Sequence, residues 1–431
     1  MANSESRLLH RQLDLLLRTG MVLMENAADT SRVMRTMKRV ATWMKLPIED
    51  MHVHIVNDML MVNVSNADHS YTKFQRVEHN RINYDILREV SRLSCEASEK
   101  NYSLDDYERE LKTITARKRK YSPWLTALGG GLACGGFCIQ FGCDWVAFFY
   151  AAIAAILGLR LRLWLNTRNS NEYVTIGIVA FVSTILAWLL GLFSQNCSIT
   201  FFHSETPWHP MLACALFIIP GVPLINFVSD MLSGYVQMGC TRAVKTLMIL
   251  TAMAFGIAFA IQVCGIDDFV RDLPLTPHHQ FRMYIIAAAI SAVGFSMIFN
   301  TPRHLLWTVA IGGIIAVCTR NIVSLGPSSG NVGLDLGPII GSFCGSVFIS
   351  VVWCLAVRRL HTPHQCLSIP SVIPMIPGVL MYRALFGFIN MHGIVGEVTF
   401  AMTNAIHASL IILCISIGVA IPNIFFRRLI S

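Results

Sequence analysis

Two polar side chains stand at matching places in apolar segments, where they are able to hold a small charged molecule. Arg383 lies six residues after Pro377, and Asn226 lies six residues after Pro220. A guanidinium grips a carboxylate through two parallel hydrogen bonds, and an amide can bind an amine or a hydroxyl group. A charge in an apolar segment is costly unless it faces a cavity or a partner. Arg383 is therefore a candidate binding residue; pairing with Asp230 or extension to a polar surface is the alternative.

Asp230, Asn404 and His407 are candidates for proton transfer. Asp230 lies one helical turn after Asn226, on the same helix face, and could bind an amine or carry a proton. The alternative for Asp230 is an ion pair or a helix cap. Asn404 and His407 are three residues apart and share a face, and histidine titrates near neutral pH. A lone histidine in an apolar helix more often has a packing or hydrogen-bonding role.

The same break interrupts both apolar segments. Ile-Pro-Gly-Val occurs at residues 219–222 and again at residues 376–379. Proline and glycine remove helical hydrogen bonds, and lipid offers no replacement for them. Such breaks persist where protein or a water-filled cavity satisfies the freed groups. Matched broken helices in two halves of a chain indicate the binding site of a secondary transporter, although proline and glycine are common in membrane helices anyway.

Composition places most of the chain in a membrane. Of the 431 residues 54% are hydrophobic and 14% are charged, against about 25% charged in soluble domains. The deficit begins near residue 123, after a charge-rich N-terminal region. We predict ten spans: 123–141, 144–160, 173–193, 209–228, 243–264, 281–299, 304–320, 335–357, 371–390 and 397–421.

Basic residues predict the orientation of these spans. With the N-terminal region in the cytoplasm, the inside segments hold most of the Lys and Arg, whereas loop 194–208 has none and loop 265–280 is acidic. Ten spans divide into two groups of five, and an odd number per group inserts the second group in the opposite direction. The breaks then fall in the fourth span of each group, which predicts two inverted repeats.

The N-terminal region reads as a small α+β domain. Helices are predicted over 5–26, 31–45, 82–100 and 103–115, and short alternating runs over 52–56, 59–64 and 71–77 predict a hairpin with a third strand. A basic run, 117–120, adjoins the membrane and would contact anionic lipid. The predicted division is therefore 1–120 for a cytoplasmic α+β domain, 121–265 for the first five-helix repeat and 281–431 for the second.

Several other functions find little support in the sequence. The spacing of Cys134, Cys138 and Cys143 matches no zinc pattern, so we expect no metal and no cofactor. The glycine runs lack the Gly-Lys-Ser/Thr of a phosphate loop and read as helix-packing surfaces. The net charge of +8 reflects basic residues at span ends rather than nucleic-acid binding. No hydrolase motif appears in the N-terminal region.

The chain resembles the threonine/serine exporter family over nearly its full length. The resemblance rests on Pro123-Trp124-Leu125, on residues 219–230, on Phe299-Asn300-Thr301-Pro302-Arg303, and on residues 373–379 followed by Tyr382-Arg383-Ala384. In some bacteria the two halves are separate chains; here they appear fused. The resemblance implies export of small amino acids, driven by an ion gradient, across the bacterial inner membrane. Part of the family is associated with export of succinate, and the resemblance does not choose between these substrates.

The resulting prediction is a polytopic α-helical exporter of threonine and serine, not an enzyme, driven by protons, with both termini in the cytoplasm and homo-oligomers possible. Export of succinate or a related dicarboxylate is one alternative. An enzyme or sensor that acts through the N-terminal region and is anchored in the lipid bilayer is another. The predicted substrate site contains the following residues: Pro220, Gly221, Asn226, Asp230, Pro377, Gly378, Tyr382 and Arg383.

Overall fold

The computed structural model of this chain describes residues 2–56, 59–65, 70–77, 81–168, 170–197, 199–265, 281–327, 332–360, 362–389 and 395–425. The predicted turn at 57–58, the acidic loop 266–280 and the side chain of Tyr382 lie outside the described residues. All other predicted site residues lie within them.

The described part of the first 115 residues forms four helices and a three-stranded antiparallel sheet, ordered β1-β2-β3. Strand β2 buries Leu60, Val62 and Val64 on one face, as the alternation of apolar residues requires, and this face packs on α1. The predicted helices and strands lie close to their observed positions. Their bounds are α1 Ala2–Glu25, α2 Thr30–Trp43, β1 Met51–Val56, β2 Met59–Ser65, β3 Ser70–Arg76, α3 Tyr84–Glu99 and α4 Leu104–Thr115.

The rest of the described chain is helical, as expected of a polytopic membrane protein. Seven helices are long and apolar enough to cross a membrane, or nine spans if each of two bent helix pairs counts as one. The first predicted span, 123–141, corresponds to α5, which is not among these nine. The helices are α5 Pro123–Gln140, α6 Trp145–Asn166, α7 Glu172–Asn196, α8 Pro210–Ala213, α9 Gly221–Leu232, α10 Val236–Cys264, α11 Phe281–Ile298, α12 Leu306–Ser324, α13 Gly337–Leu360, α14 Gln365–Val372, α15 Gly378–Ile389 and α16 Val395–Phe425.

Helix neighbours recur in the two halves of this bundle. In the first half α5 contacts α6, α7 contacts α10, and α9 contacts α10; in the second, α11 contacts α12, α13 contacts α16, and α15 contacts α16. The halves meet where α5 packs on α11, where α9 packs on α16, and where α10 packs on α15. Small residues allow the α5–α11 approach, because a Cβ at Gly129 would lie 2.9 Å from the carbonyl oxygen of Gly294.

The turn between α11 and α12 joins this bundle to the N-terminal region. Asn300 adopts a left-handed conformation, with φ of 57°, and its amide bridges two partners. Its Nδ2 donates to Asn83 Oδ1 at 2.8 Å, and its Oδ1 accepts from the backbone N–H of Lys120 at 2.9 Å. The N–H of Tyr84 donates to the carbonyl of Phe299 at 2.9 Å. Part of the Phe299–Arg303 motif therefore fastens α3 and the basic linker to the bundle.

Candidate functional site

The first break is a compact turn between α8 and α9. A 3-10 turn over Leu216–Ile218 leads into Pro220, whose φ of −78° and ψ of 62° describe an inverse γ-turn. This turn lets the N–H of Gly221 donate to the Ile219 carbonyl at 2.8 Å, so that the carbonyl is satisfied without water. The N–H of Leu224 then donates to the Pro220 carbonyl at 2.9 Å and begins α9. The segments bend by 56°.

The second break repeats these bonds between α14 and α15. A 3-10 turn over Ile373–Met375 precedes Pro377. The N–H of Gly378 donates to the Ile376 carbonyl at 2.8 Å, and the N–H of Met381 donates to the Pro377 carbonyl at 3.1 Å. The bend is 63°. The helices that follow the two breaks, α9 and α15, have 12 residues each, so each side chain of α9 has a counterpart on α15.

The two breaks pack against each other reciprocally. A Cβ at Gly221 would lie 2.9 Å from Ile376 Cδ1. A Cβ at Gly378 would overlap Ile219 Cδ1 and lie 2.9 Å from Leu216 Cδ2. The isoleucine of each break thus covers the glycine of the other, and any side chain at either glycine must displace its neighbour. The structure therefore brings the predicted Pro-Gly pairs into one place.

Asn226 and Arg383 occupy equivalent positions after these breaks, and both are buried. Asn226 is 3% exposed and Arg383 is 9% exposed. Burial of a guanidinium among apolar helices is tolerated only with compensating partners. Asp230 forms an ion pair with Arg242 of α10.

Asn226 and Asp230 together contact the corner between α1 and α2, which we define as residues 26–32. Asn226 Nδ2 donates to the Ala27 carbonyl at 3.0 Å. Asp230 Oδ1 accepts from the N–H of Thr30 at 2.9 Å, and its Oδ2 lies 2.9 Å from Arg242 Nη1. The Asp230 side chain is fully buried, so these bonds compensate the loss of its hydration.

Backbone geometry explains how the corner presents these groups. Helix α1 ends with Ala27 in the left-handed region, φ 65°, and the N–H of Ala28 returns to the Leu23 carbonyl at 3.1 Å. Helices often end in this way, but with glycine at the left-handed position. A non-glycine residue there costs on the order of 1 kcal/mol, and contacts such as Arg242 Nη2 to the Ala28 carbonyl, 2.9 Å, hold it in place.

The N-terminal region also contacts the segment before the second break. Arg32 Nε donates to Gln365 Oε1 at 2.9 Å, and Arg88 Nε donates to Thr362 Oγ1 at 3.0 Å. His364, between these two contacts, is fully buried. Burial, aided by the nearby charges of Arg32 and Arg35, lowers the pKa of His364 to about 3. The ring is therefore neutral at physiological pH.

The remaining sequence candidates are divided between the interior and the surface of α16. Asn404 is buried, and its Nδ2 donates to the Phe400 carbonyl of its own helix at 2.8 Å. His407 lies on the exposed side of the same helix. Asn404 is thus buried and His407 exposed, although their spacing of three residues places them on one face of the helix. Among the described residues, no group of three or more His, Cys, Asp or Glu side chains is arranged to hold a metal ion.

Sequence reasoning missed Arg242 and the corner as parts of this site. In the sequence, Arg242 lies directly before the predicted span 243–264. Ala27, Ala28 and Thr30 lie between the predicted helices 5–26 and 31–45. Their pairing with α9 joins residues that are about 200 positions apart, and no local pattern reports such a contact. The available signal was the i, i+4 spacing of Asn226 and Asp230.

Comparisons with known proteins cover both halves of the chain. The family model described as "Putative threonine/serine exporter" matches residues 14–264, and the one described as "Threonine/Serine exporter, ThrE" matches residues 284–425. Together they include the corner and both breaks. The two matches leave residues 265–283 between them.

Named relatives fall into two groups. A protein of Mycobacterium tuberculosis named "Probable threonine/serine exporter" is 20% identical over 87% of this chain and 70% of its own length. The "Threonine/serine exporter" of Corynebacterium glutamicum is 20% identical over 80% of this chain and 68% of its own length. A Klebsiella aerogenes protein named "Probable succinate transporter subunit YjjP" is 25% identical over 61% of this chain and 96% of its own length. No solved structure matches the chain.

Proposed function

The chain belongs to the threonine/serine exporter family, and we propose that it is a proton-driven secondary transporter that exports threonine and serine across the bacterial inner membrane. One observation carries the proposal most directly. The two broken helices meet at their Pro-Gly turns, and each places a buried polar side chain, Asn226 or Arg383, at the same position after its break. Broken helices of this kind present backbone N–H groups and partial positive charge to a substrate carboxylate.

Two inverted five-helix repeats account for this arrangement. The recurrence of helix neighbours in the two halves, the matched hydrogen bonds at the breaks and the reciprocal packing of isoleucine on glycine all support a two-fold relation. Two separate family models that meet between residues 264 and 284 are in keeping with it. In this proposal the N-terminal region and both termini lie in the cytoplasm, where the basic residues of the span ends are concentrated.

The proposed substrate site uses the groups around the breaks. Arg383 binds the substrate carboxylate through its guanidinium, with the turns at Pro220-Gly221 and Pro377-Gly378 as further contacts; Tyr382 is a further candidate from the sequence. Asp230 binds the substrate amine, and Asn226, one helical turn away, is a further polar contact. Asp230 is the preferred group for proton coupling, because it is buried and adjoins the site. Asn404 and His407 remain secondary candidates.

A dicarboxylate is the second candidate substrate. It is favoured by the Klebsiella relative, whose name specifies succinate, and by the buried cation Arg383. An enzymatic or sensory role for the N-terminal region is less favoured, because the relatives with functional names are named as transporters.

Counterflow in proteoliposomes tests these proposals. Vesicles are loaded with unlabelled threonine, serine or succinate, and uptake of the matching labelled compound is followed. We expect exchange of threonine and serine by the wild type and at least a hundredfold loss in Arg383→Ala, because a buried charged hydrogen bond to the substrate is removed. Arg383→Lys, which keeps the charge, is the matched control, and size-exclusion profiles verify insertion.

Each outcome has a defined meaning. Exchange of succinate alone would replace the amino-acid proposal with the dicarboxylate one. Undiminished exchange by a well-folded Arg383→Ala protein would remove Arg383 from the site. Exchange of none of the three compounds by the wild type would overturn the proposed function.

A further inference from the structure

We propose that Asn226 and Asp230 recognise the two charged ends of a free α-amino acid, and that the backbone of the α1–α2 corner occupies this pair as a substrate mimic. The inference rests on the proposed transport function and deepens it. The corner is then an inner gate that substrate displaces, and the site selects zwitterions over dicarboxylates.

The hydrogen bonds of the corner match those that an amino acid would make. Asn226 Nδ2 donates to a carbonyl oxygen, that of Ala27, at 3.0 Å, as it would donate to a carboxylate. Asp230 Oδ1 accepts from an N–H group, that of Thr30, at 2.9 Å, as it would accept from an ammonium group. Side chains one turn apart on a helix face are about 6 Å apart. That distance suits the two ends of one amino acid with a hydrogen bond on each side.

Charge makes this pair selective. The Asp230 carboxylate is fully buried, and it keeps Arg242 at 2.9 Å when the corner leaves. The vacated Oδ1 then lacks its donor, and a buried carboxylate oxygen without a donor is unfavourable. A substrate ammonium replaces the lost N–H and brings positive charge. Succinate brings a second carboxylate to the same place, where it meets Asp230 with the same sign of charge.

The contacts of the corner would allow a substrate to displace it from Asn226 and Asp230. Single hydrogen bonds link backbone atoms of Ala27, Ala28 and Thr30 to α9 and α10, including one from Arg242 Nη2 to the Ala28 carbonyl. Ala27 also holds a left-handed conformation that favours glycine. A zwitterion that satisfies Asn226 and Asp230 removes two of the bonds that fix this conformation. Substrate binding and release of the corner are then coupled in both directions.

One substitution removes the proposed mimic and leaves the helix intact. Thr30 is the first residue of α2, a position where proline is well accepted because its N–H has no partner within the helix. Asp29 precedes it with φ of −68° and ψ of 153°, which suits a residue before proline. Thr30→Pro therefore removes the N–H that donates to Asp230. Thr30→Ala also loses the hydroxyl but keeps this N–H, and it is the matched control.

Equilibrium binding of labelled threonine to the purified full-length protein tests the competition. We expect Thr30→Pro to bind threonine about tenfold more tightly than Thr30→Ala, because the substrate no longer competes with the corner for Asp230. Hydrogen exchange of wild-type peptides that cover residues 26–33 should rise severalfold with saturating threonine and stay unchanged with succinate.

Counterflow in the same preparations separates two kinds of failure. If the wild type exchanges threonine but both Thr30 variants bind it equally, or the corner does not respond to it, the mimic is refuted and the transport function stands. If the wild type neither binds nor exchanges threonine, the amino-acid function and the mimic fall together. Corner exchange that rises equally with succinate would refute the selectivity.

Discussion

The two broken helices share a backbone and differ in what their side chains do. Both breaks carry the same hydrogen bonds, and both are followed by helices of 12 residues. Yet α9 bears Asp230, paired with Arg242 of α10, where α15 bears Gly387, whose Cβ position lies 2.8 Å from Ala401 Cβ of α16. At this position the first half joins its helices by charge and the second by close apolar contact. The two breaks therefore share their backbone hydrogen bonds, and differences at single positions decide which contacts each following helix makes.

A second difference follows from the first. The polar end of α9 is covered by the α1–α2 corner through Asn226 and Asp230. The equivalent positions of α15 are Arg383 and Gly387, and the latter has no side chain to bind such a segment. The proposed two-fold arrangement of helices would thus be asymmetric in function, with a gate proposed for one side only.

The largest effect is expected from the ion pair that distinguishes the halves. Asp230→Ala leaves the Arg242 charge without its partner in a largely buried place and should lower the free energy of unfolding by about 3 kcal/mol. The double variant Asp230→Ala/Arg242→Ala imitates the apolar contact of the second half and should recover most of this loss. Thermal unfolding in detergent measures both variants, with Arg242→Ala completing the cycle. Threonine counterflow should stay lost in the double variant.

Two results would break this comparison. If the double variant is no more stable than Asp230→Ala, the loss of stability in Asp230→Ala does not come from the unpaired charge of Arg242. Recovery of transport together with stability would mean that Asp230 only stabilises the fold.

An intermediate effect is expected at the glycines that the halves share. Gly378→Ala places a Cβ into Ile219 Cδ1 and should cost about 1–3 kcal/mol of stability. Gly221→Ala should cost less, since its nearest neighbour, Ile376 Cδ1, lies 2.9 Å away. Ile219→Val deletes the obstructing methyl group and should partly restore Gly378→Ala but not Gly221→Ala. Equal rescue of both glycine variants would argue against reciprocal packing.

The smallest effect is expected at the turn after the first helix of each half. Gly142 forms this turn in the first half, with φ of 94°, and Asn300 in the second, with φ of 57°. Asn300→Gly makes the second turn like the first, keeps the backbone conformation and removes two hydrogen bonds to the N-terminal region. We expect a loss of about 1–2 kcal/mol and faster proteolysis of the linker near Lys120. Unchanged proteolysis would show that Asn300 does not fasten this region.

Local patterns in the sequence predicted the elements of the fold well. Apolar runs and Pro-Gly pairs identified the spans and both breaks, because membrane helices must satisfy their own backbone groups and proline prevents this. The spacing of six residues also pointed to Asn226 and Arg383 as a matched pair, and both are buried. On the other hand, the spacing of Asn404 and His407 does not reveal that the first is buried and the second exposed, because only tertiary packing decides which side of α16 faces the interior.

What the sequence determined by itself is therefore the set of local constraints: which segments are apolar, where their helices break, and which polar residues must be compensated. The tertiary structure decided the partners. Arg242 forms the ion pair with Asp230, and Thr30 and Ala27 reach α9 across about 200 residues of chain. Burial makes compensation of a polar group obligatory, which a sequence reveals. Which atoms provide it depends on how distant segments meet in space.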